Sequence, residues 1–172
     1  ALLGIARDEQ VGVDLDERRI ELGRELHAAH RPAGSIELRC QNVYDAAFVA
    51  EFTHAFDLII LKDAIEHIPD QGRFIVHLRT LLRDGGQVFF GFPPWRMPFG
   101  GHQQICAGRL AMTPWYHLLP ARAYRRVLER LGESPEVVGE LMEIKQTGLS
   151  INRFEAIVAA SGLRPVNTRH FL

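Results

Sequence analysis

The feature that most constrains this chain is a repeated order, apolar run and then helical segment, because few architectures hide such runs from water. Residues 56–61, FDLIIL, are almost uninterruptedly apolar, the pattern of a strand covered on both faces of a parallel sheet. Residues 11–16, VGVDLD, form a shorter run that leads into residues 17–30, where Ile20, Leu22 and Leu26 are apolar, Gly23 interrupts them, and Asp16 is a good N-cap. Pro32 and Gly34 mark a turn before a strand at 36–40, and residues 44–53 follow as a short helix or loop. Residues 74–82 have helical spacing, are closed by Asp84-Gly85-Gly86, and lead into a strand at 87–92. Strands alternating with helices predict a mostly parallel sheet with right-handed crossovers, a doubly wound α/β layer.

The character changes at residue 93. Residues 93–131 hold Pro93, Pro94, Pro98, Pro114 and Pro120 among Trp95, Phe99, Trp115 and Tyr116, before a helical stretch at 121–131. This predicts an inserted cap, helical and irregular, over 93–144. Ser134-Pro135 opens a helix to residue 144, Ser150 caps another over 150–160, and Ser161-Gly162 closes it ahead of a last strand at 164–172. No repeat or low-complexity segment is visible, and residues 1–172 read as a single domain.

With 172 residues, 47% of them hydrophobic, the chain can bury the core of one domain and is short for two. A net charge of -1 with interspersed signs lacks the basic footprint of a nucleic-acid or anionic-membrane binder, so the expected partner is a small molecule. Cys40 and Cys106 show neither CxxC nor metal-ligand spacing and are expected to be reduced, packed thiols. No apolar run approaches the roughly 20 residues that span a bilayer, and the first ten lack a signal-peptide layout, so the expected location is the cytoplasm.

Ligands of α/β sheets lie beyond the carboxyl ends of the strands, so the residues there carry the chemistry. Asp14 can accept hydrogen bonds from both hydroxyls of a ribose, or it can serve the following helix terminus as Asp16 does. Asn42 can meet an adenine edge or simply form a loop. Asp63 to Ile68, DAIEHI, places a Glu-His pair directly after the FDLIIL strand. His67 can accept a proton from a substrate or form a structural wall. His102, in GGHQQ, is a candidate base and acceptor contact, or a loop histidine bonded to backbone. Trp95, Trp115 and Tyr116 can line an acceptor pocket or form the cap's own core. Asp63, Glu66 and His67 lie too close in sequence to converge as metal ligands do, and no metal is expected.

The Phe-Asp strand followed by Glu-His resembles the fourth-strand motif of class I S-adenosylmethionine-dependent methyltransferases, with Ile65 where Leu is usual. Residues 11–16 are similar to the family's second strand with its ribose-binding acid, Asp14; Gln41-Asn42 falls where Gly-Asp is common. Leu81 to Gly86 resembles the turn into the fifth strand, and residues 154–163 the helix leading to the sixth. The resemblance implies a Rossmann-like sheet, truncated at its N-terminus: the first strand and Gly-rich turn are expected upstream of a helix over residues 1–7. It implies S-adenosylmethionine as cofactor, contacted by Asp14, Leu15, Asn42, Val43, Lys62 and Asp63. The implied activity is methyl transfer to a small-molecule acceptor, driven by proximity and desolvation. A nicotinamide-dependent dehydrogenase, which also wants an acid after its second strand, and a non-catalytic binding module of the same fold are the competing readings.

Overall fold

The computed structural model describes residues 2–6, 9–30 and 35–171. They form two compact units, one of residues 1–64 and 73–91 and the other of residues 65–72 and 92–172.

The first unit is built on a five-stranded sheet of order β3-β2-β1-β4-β5. Its strands are β1 (Leu2–Ala6), β2 (Glu9–Asp14), β3 (Ile36–Cys40), β4 (Phe56–Lys62) and β5 (Leu82–Gly91). Pairs β2·β3 and β4·β5 are parallel, while β1 is antiparallel to both β2 and β4. The four expected strands that form, β2 to β5, therefore all run the same way, and β1 alone opposes them.

That central strand is a correction, because residues 1–7 were expected as a helix and Leu2–Ala6 is extended. An apolar stretch this short cannot be told from a helical one by periodicity, and pairing with β2, next along the chain, and with β4, distant in sequence, decides it. A second correction concerns the other end, where residues 164–171 form no strand and are exposed. With Val166 83% and Phe171 80% exposed, the segment has no apolar face to hold in a sheet.

Three helices accompany the sheet: α1 (Glu17–His30), α2 (Ala46–Phe52) and α3 (Gln71–Leu81), the last beginning at the junction of the units. Asp16 caps α1 as expected, its carboxylate accepting the Arg18 amide at 3.0 Å. Gly23, the interruption in the apolar pattern, faces β3, where a Cβ would stand 3.0 Å from Leu38 Cδ1. The missing side chain permits the close approach. Phe48, Phe56, Ile59, Ile75, Leu78 and Leu81 are fully buried and form the core of this unit. The Asp84-Gly85-Gly86 turn is absorbed into β5 as an irregularity, the register with β4 shifting between Phe56 and Leu58.

In the second unit, 3-10 turns at Ile65–His67, Gln103–Ile105, Arg109–Met112 and Tyr116–Leu118 accompany α4 (Ala121–Arg130), α5 (Pro135–Thr147) and α6 (Ile151–Ser161). The helix signals hold: Ser134 and Ser150 accept the amides of Val137 and Arg153, and Gly148 and Gly162 close the helices with positive φ. Cys106, Tyr116, Tyr124, Leu128, Val138, Leu141 and Met142 make a core here. Cys106 thus packs as expected, whereas Cys40 is exposed, its thiol donating to the Leu15 carbonyl at 3.5 Å. No helix among the described residues is long and apolar enough to cross a membrane.

Candidate functional site

The carboxyl ends of β2, β3 and β4 lie on one edge of the sheet. Leu3 of β1 pairs with Gly12 on one side and Ile60 on the other, so Asp14 and Lys62, each two residues further, stand level on the two strands that flank β1. Asp14 also pairs in register with Cys40, which brings Gln41 and Asn42 beside it. The chosen residues of all three strand ends are thereby gathered on one edge.

Within that edge each residue has a definite state. Asp14 Oδ1 accepts the Asp16 amide at 2.9 Å, which turns the chain into α1. Burial works to raise the Asp14 carboxyl, while the Asp16 amide and the Arg19 charge lower it, and the group lies below its ordinary value. It stays an acceptor at neutral pH. Leu15 is 72% exposed beside it. Asn42 Oδ1 accepts the Tyr44 amide at 3.0 Å, an Asx turn, and the Val43 carbonyl accepts His77 Nε2–H of α3 at 2.8 Å. Asn42 therefore does the loop-forming work its residue type allows, with its amide donors remaining for a ligand edge. Lys62 and Asp63 are exposed, 3.9 Å apart. Asp63 has φ 48° and donates its amide to the Gly91 carbonyl at 2.7 Å. A left-handed residue at the end of a buried strand is the kind of strained position that functional edges use, and Asp tolerates it.

Three residues further along the chain, the second unit gathers another group. Glu66 is 2% exposed, and neither carboxylate oxygen receives a hydrogen bond. Its Oε1 lies 3.4 Å from His102 Nε2 and 4.0 Å from His67 Nε2. The two imidazoles meet edge to face at 5.2 Å. The turn carrying Glu66 is tied down by Thr147 Oγ1, which donates to the Glu66 carbonyl. His102 sits at φ 55° with its amide bonded to the Phe99 carbonyl at 3.1 Å. Gly101 before it has no room for a side chain, since a Cβ there would strike the His117 ring. The loop is fixed.

Of the aromatic residues, Tyr116 is part of the second unit's core, its ring 5.3 Å from Tyr124 and its hydroxyl 3.2 Å from Cys106 Sγ. Burial pushes the Tyr116 phenol well above its ordinary range. Trp115 is half-exposed, with Nε1–H donating to the Arg96 carbonyl at 3.3 Å. Trp95 meets His117 edge to face at 4.6 Å and carries the Lys145 ammonium over its ring at 5.2 Å. Sequence reasoning overlooked His117 and Lys145, whose types alone signal nothing. His117 is fully buried, with Nε2–H donating to the Trp95 carbonyl at 2.7 Å, and Lys145 donates to the His117 carbonyl at 2.7 Å.

Carboxylate and amide groups gathered at the carboxyl edge of co-directional strands define a Rossmann-like cofactor-binding domain. A methyltransferase domain family model matches residues 3–136, and the chain belongs to that family, the S-adenosylmethionine-dependent class. It is 34% identical over 79 residues to a ubiquinone biosynthesis O-methyltransferase of Neisseria meningitidis serogroup C, covering 46% of this chain and 32% of that protein. Similar enzymes of the same name from Acinetobacter baumannii (strain ACICU) and Stutzerimonas stutzeri are 32% and 30% identical, with 46% of this chain and 32% of each relative covered. The match thus spans about a third of the length of these relatives.

Proposed function

We propose that this protein transfers a methyl group from S-adenosylmethionine to an oxygen of a small-molecule acceptor in the cytosol. The observation that carries the reading is Asp14: a carboxylate at the end of β2, level with Lys62 at the end of β4, within a methyltransferase family match. A carboxylate has acceptor capacity for several donors, so its bond to the Asp16 amide is compatible with a ribose hydroxyl. Leu15 would cover the adenosine with its exposed side chain, Asn42 and Val43 would meet the base edge, and Lys62 and Asp63 would border the methionine portion. The name of the relatives supports oxygen as the nucleophile.

A sulfonium methyl is already activated, so in-line placement and exclusion of water supply most of the acceleration. His67 and His102 are the groups proposed to take the acceptor's proton, with Trp95 and Trp115 as its apolar contacts and Tyr116 holding Trp115 from the core. Calorimetric titration with S-adenosylmethionine, followed by transfer of labelled methyl to a panel of hydroxylated aromatic and aliphatic compounds, tests it. Binding of a nicotinamide dinucleotide in place of S-adenosylmethionine, or of neither, overturns it.

A further inference from the structure

The group formed by Glu66, His67 and His102 has a chemistry that methyl transfer does not require. Each contributes one ligand-type atom, and the three atoms lie within 4.8 Å of one another. His102 comes from beyond β5, so the set is not the sequence-adjacent Asp63, Glu66 and His67 whose proximity along the chain argued against a metal. A carboxylate buried without a hydrogen-bond donor is costly unless something positive meets it. Both Glu66 oxygens and His102 Nε2 are buried, and none of them makes a hydrogen bond. Donors about 2.1 Å from a tetrahedral zinc stand about 3.4 Å from each other. Glu66 Oε1 and His102 Nε2 are 3.4 Å apart, and His67 Nε2 lies 4.0 Å from the same oxygen on a side chain 37% exposed.

We propose that Glu66, His67 and His102 form a binding site for one divalent first-row transition metal. Two imidazoles and one carboxylate suit zinc, cobalt or iron, and are too poor in oxygen for magnesium or calcium. The exposed side of His67 leaves the remaining coordination positions to solvent. Thr147 and the close-packed Gly101 fix the two turns that deliver the ligands, so the site is largely preorganised. A bound metal takes the imidazole lone pairs that a proton would otherwise use, so the proton-accepting role of His67 and His102 belongs to the metal-free protein.

Cobalt(II) titration of the full chain, read by visible absorption, and zinc content after dialysis test the site. The expected result is one metal per chain, with His102→Ala and Glu66→Gln each weakening it at least about 100-fold, since even residues behind the ligands are worth 10–100-fold. Circular dichroism accompanies each variant, and His67→Ala, at the exposed ligand, serves if Glu66→Gln fails to fold. No cobalt spectrum with the wild type, or equal affinity in folded variants, overturns the site. The same preparations are titrated with S-adenosylmethionine, so loss of the metal site and loss of the methyl-transfer reading register separately.

Discussion

Glu66 Oε1 and His102 Nε2 lie 3.4 Å apart, joining a turn after β4 to a loop after β5 around a carboxylate that makes no hydrogen bond. If the pair acts on the acceptor, His102→Ala should lower kcat by about 10²–10⁴, the usual worth of a positioned acid or base. The S-adenosylmethionine Kd should stay within about twofold. Glu66→Gln should matter little once His102 is gone, a coupling of about 0.5–3 kcal/mol in a double-mutant cycle. Unchanged turnover in His102→Ala removes this residue from the mechanism.

The aromatic residues separate by burial. Tyr116 is 9% exposed and shares a core with Tyr124 and Leu128, so Tyr116→Ala should cost about 3–5 kcal/mol of stability. Trp115 is 50% exposed, and Trp115→Ala should change stability by about 0.5 kcal/mol or less. A rise in acceptor KM in a stable Trp115→Ala enzyme would confirm its contact with substrate. Denaturant melts and steady-state kinetics of the two variants decide.

His117 should make stability pH-dependent. Burial, aided by the Lys145 charge, holds its pKa below the ordinary imidazole value of about 6.5. The neutral ring is already satisfied, with Nε2–H on the Trp95 carbonyl and Nδ1 facing the Gln103 amide at 3.3 Å. Between the lowered folded value and the unfolded one, the unfolded chain binds more protons, so stability rises with pH there. The contribution is fully present above about pH 6.5 and is lost as pH falls through the folded value. Thermal melts should show the wild type losing more stability between pH 7.5 and 5.5 than His117→Asn does. Parallel losses would put the acid sensitivity elsewhere.

What the sequence discloses follows from how local each signal is. Ser134, Ser150, Gly148 and Gly162 announce helix ends because a cap is a contact within a few residues. The FDLIIL run announces β4 because burial on both faces leaves no polar alternation to read. Leu2–Ala6 is misread because its pairing, with Val13 of the next strand and with Ile60 far along the chain, makes it a strand. The same limit hides the partner of Glu66. The Glu-His pair is visible as a motif, but nothing near it in sequence says that the carboxylate is buried or that His102 meets it. Asp14 is legible in both its senses, as a strand-end acid and as a neighbour of a helix cap, and the structure shows one bond of the second kind.

That double character shapes the last prediction. Asp16 holds the Arg18 amide at 3.0 Å and Asp14 holds the Asp16 amide at 2.9 Å, so an alanine at either position removes a bond from the start of α1. Asp14→Asn is the sharper probe, because an amide oxygen keeps the Asp16 contact while the charge that would bind a ribose disappears. Charge-assisted hydrogen bonds are worth about 1.5–3 kcal/mol each, so Asp14→Asn should weaken S-adenosylmethionine binding roughly ten- to several hundred-fold. Its thermal stability should barely move. Asp16→Ala should do the reverse, costing about 1 kcal/mol through the lost cap while leaving cofactor affinity alone. Calorimetric titrations and thermal melts of both variants separate the two roles. If Asp14→Asn binds the cofactor as the wild type does, the ribose contact is wrong, and the proposal loses the observation that carries it.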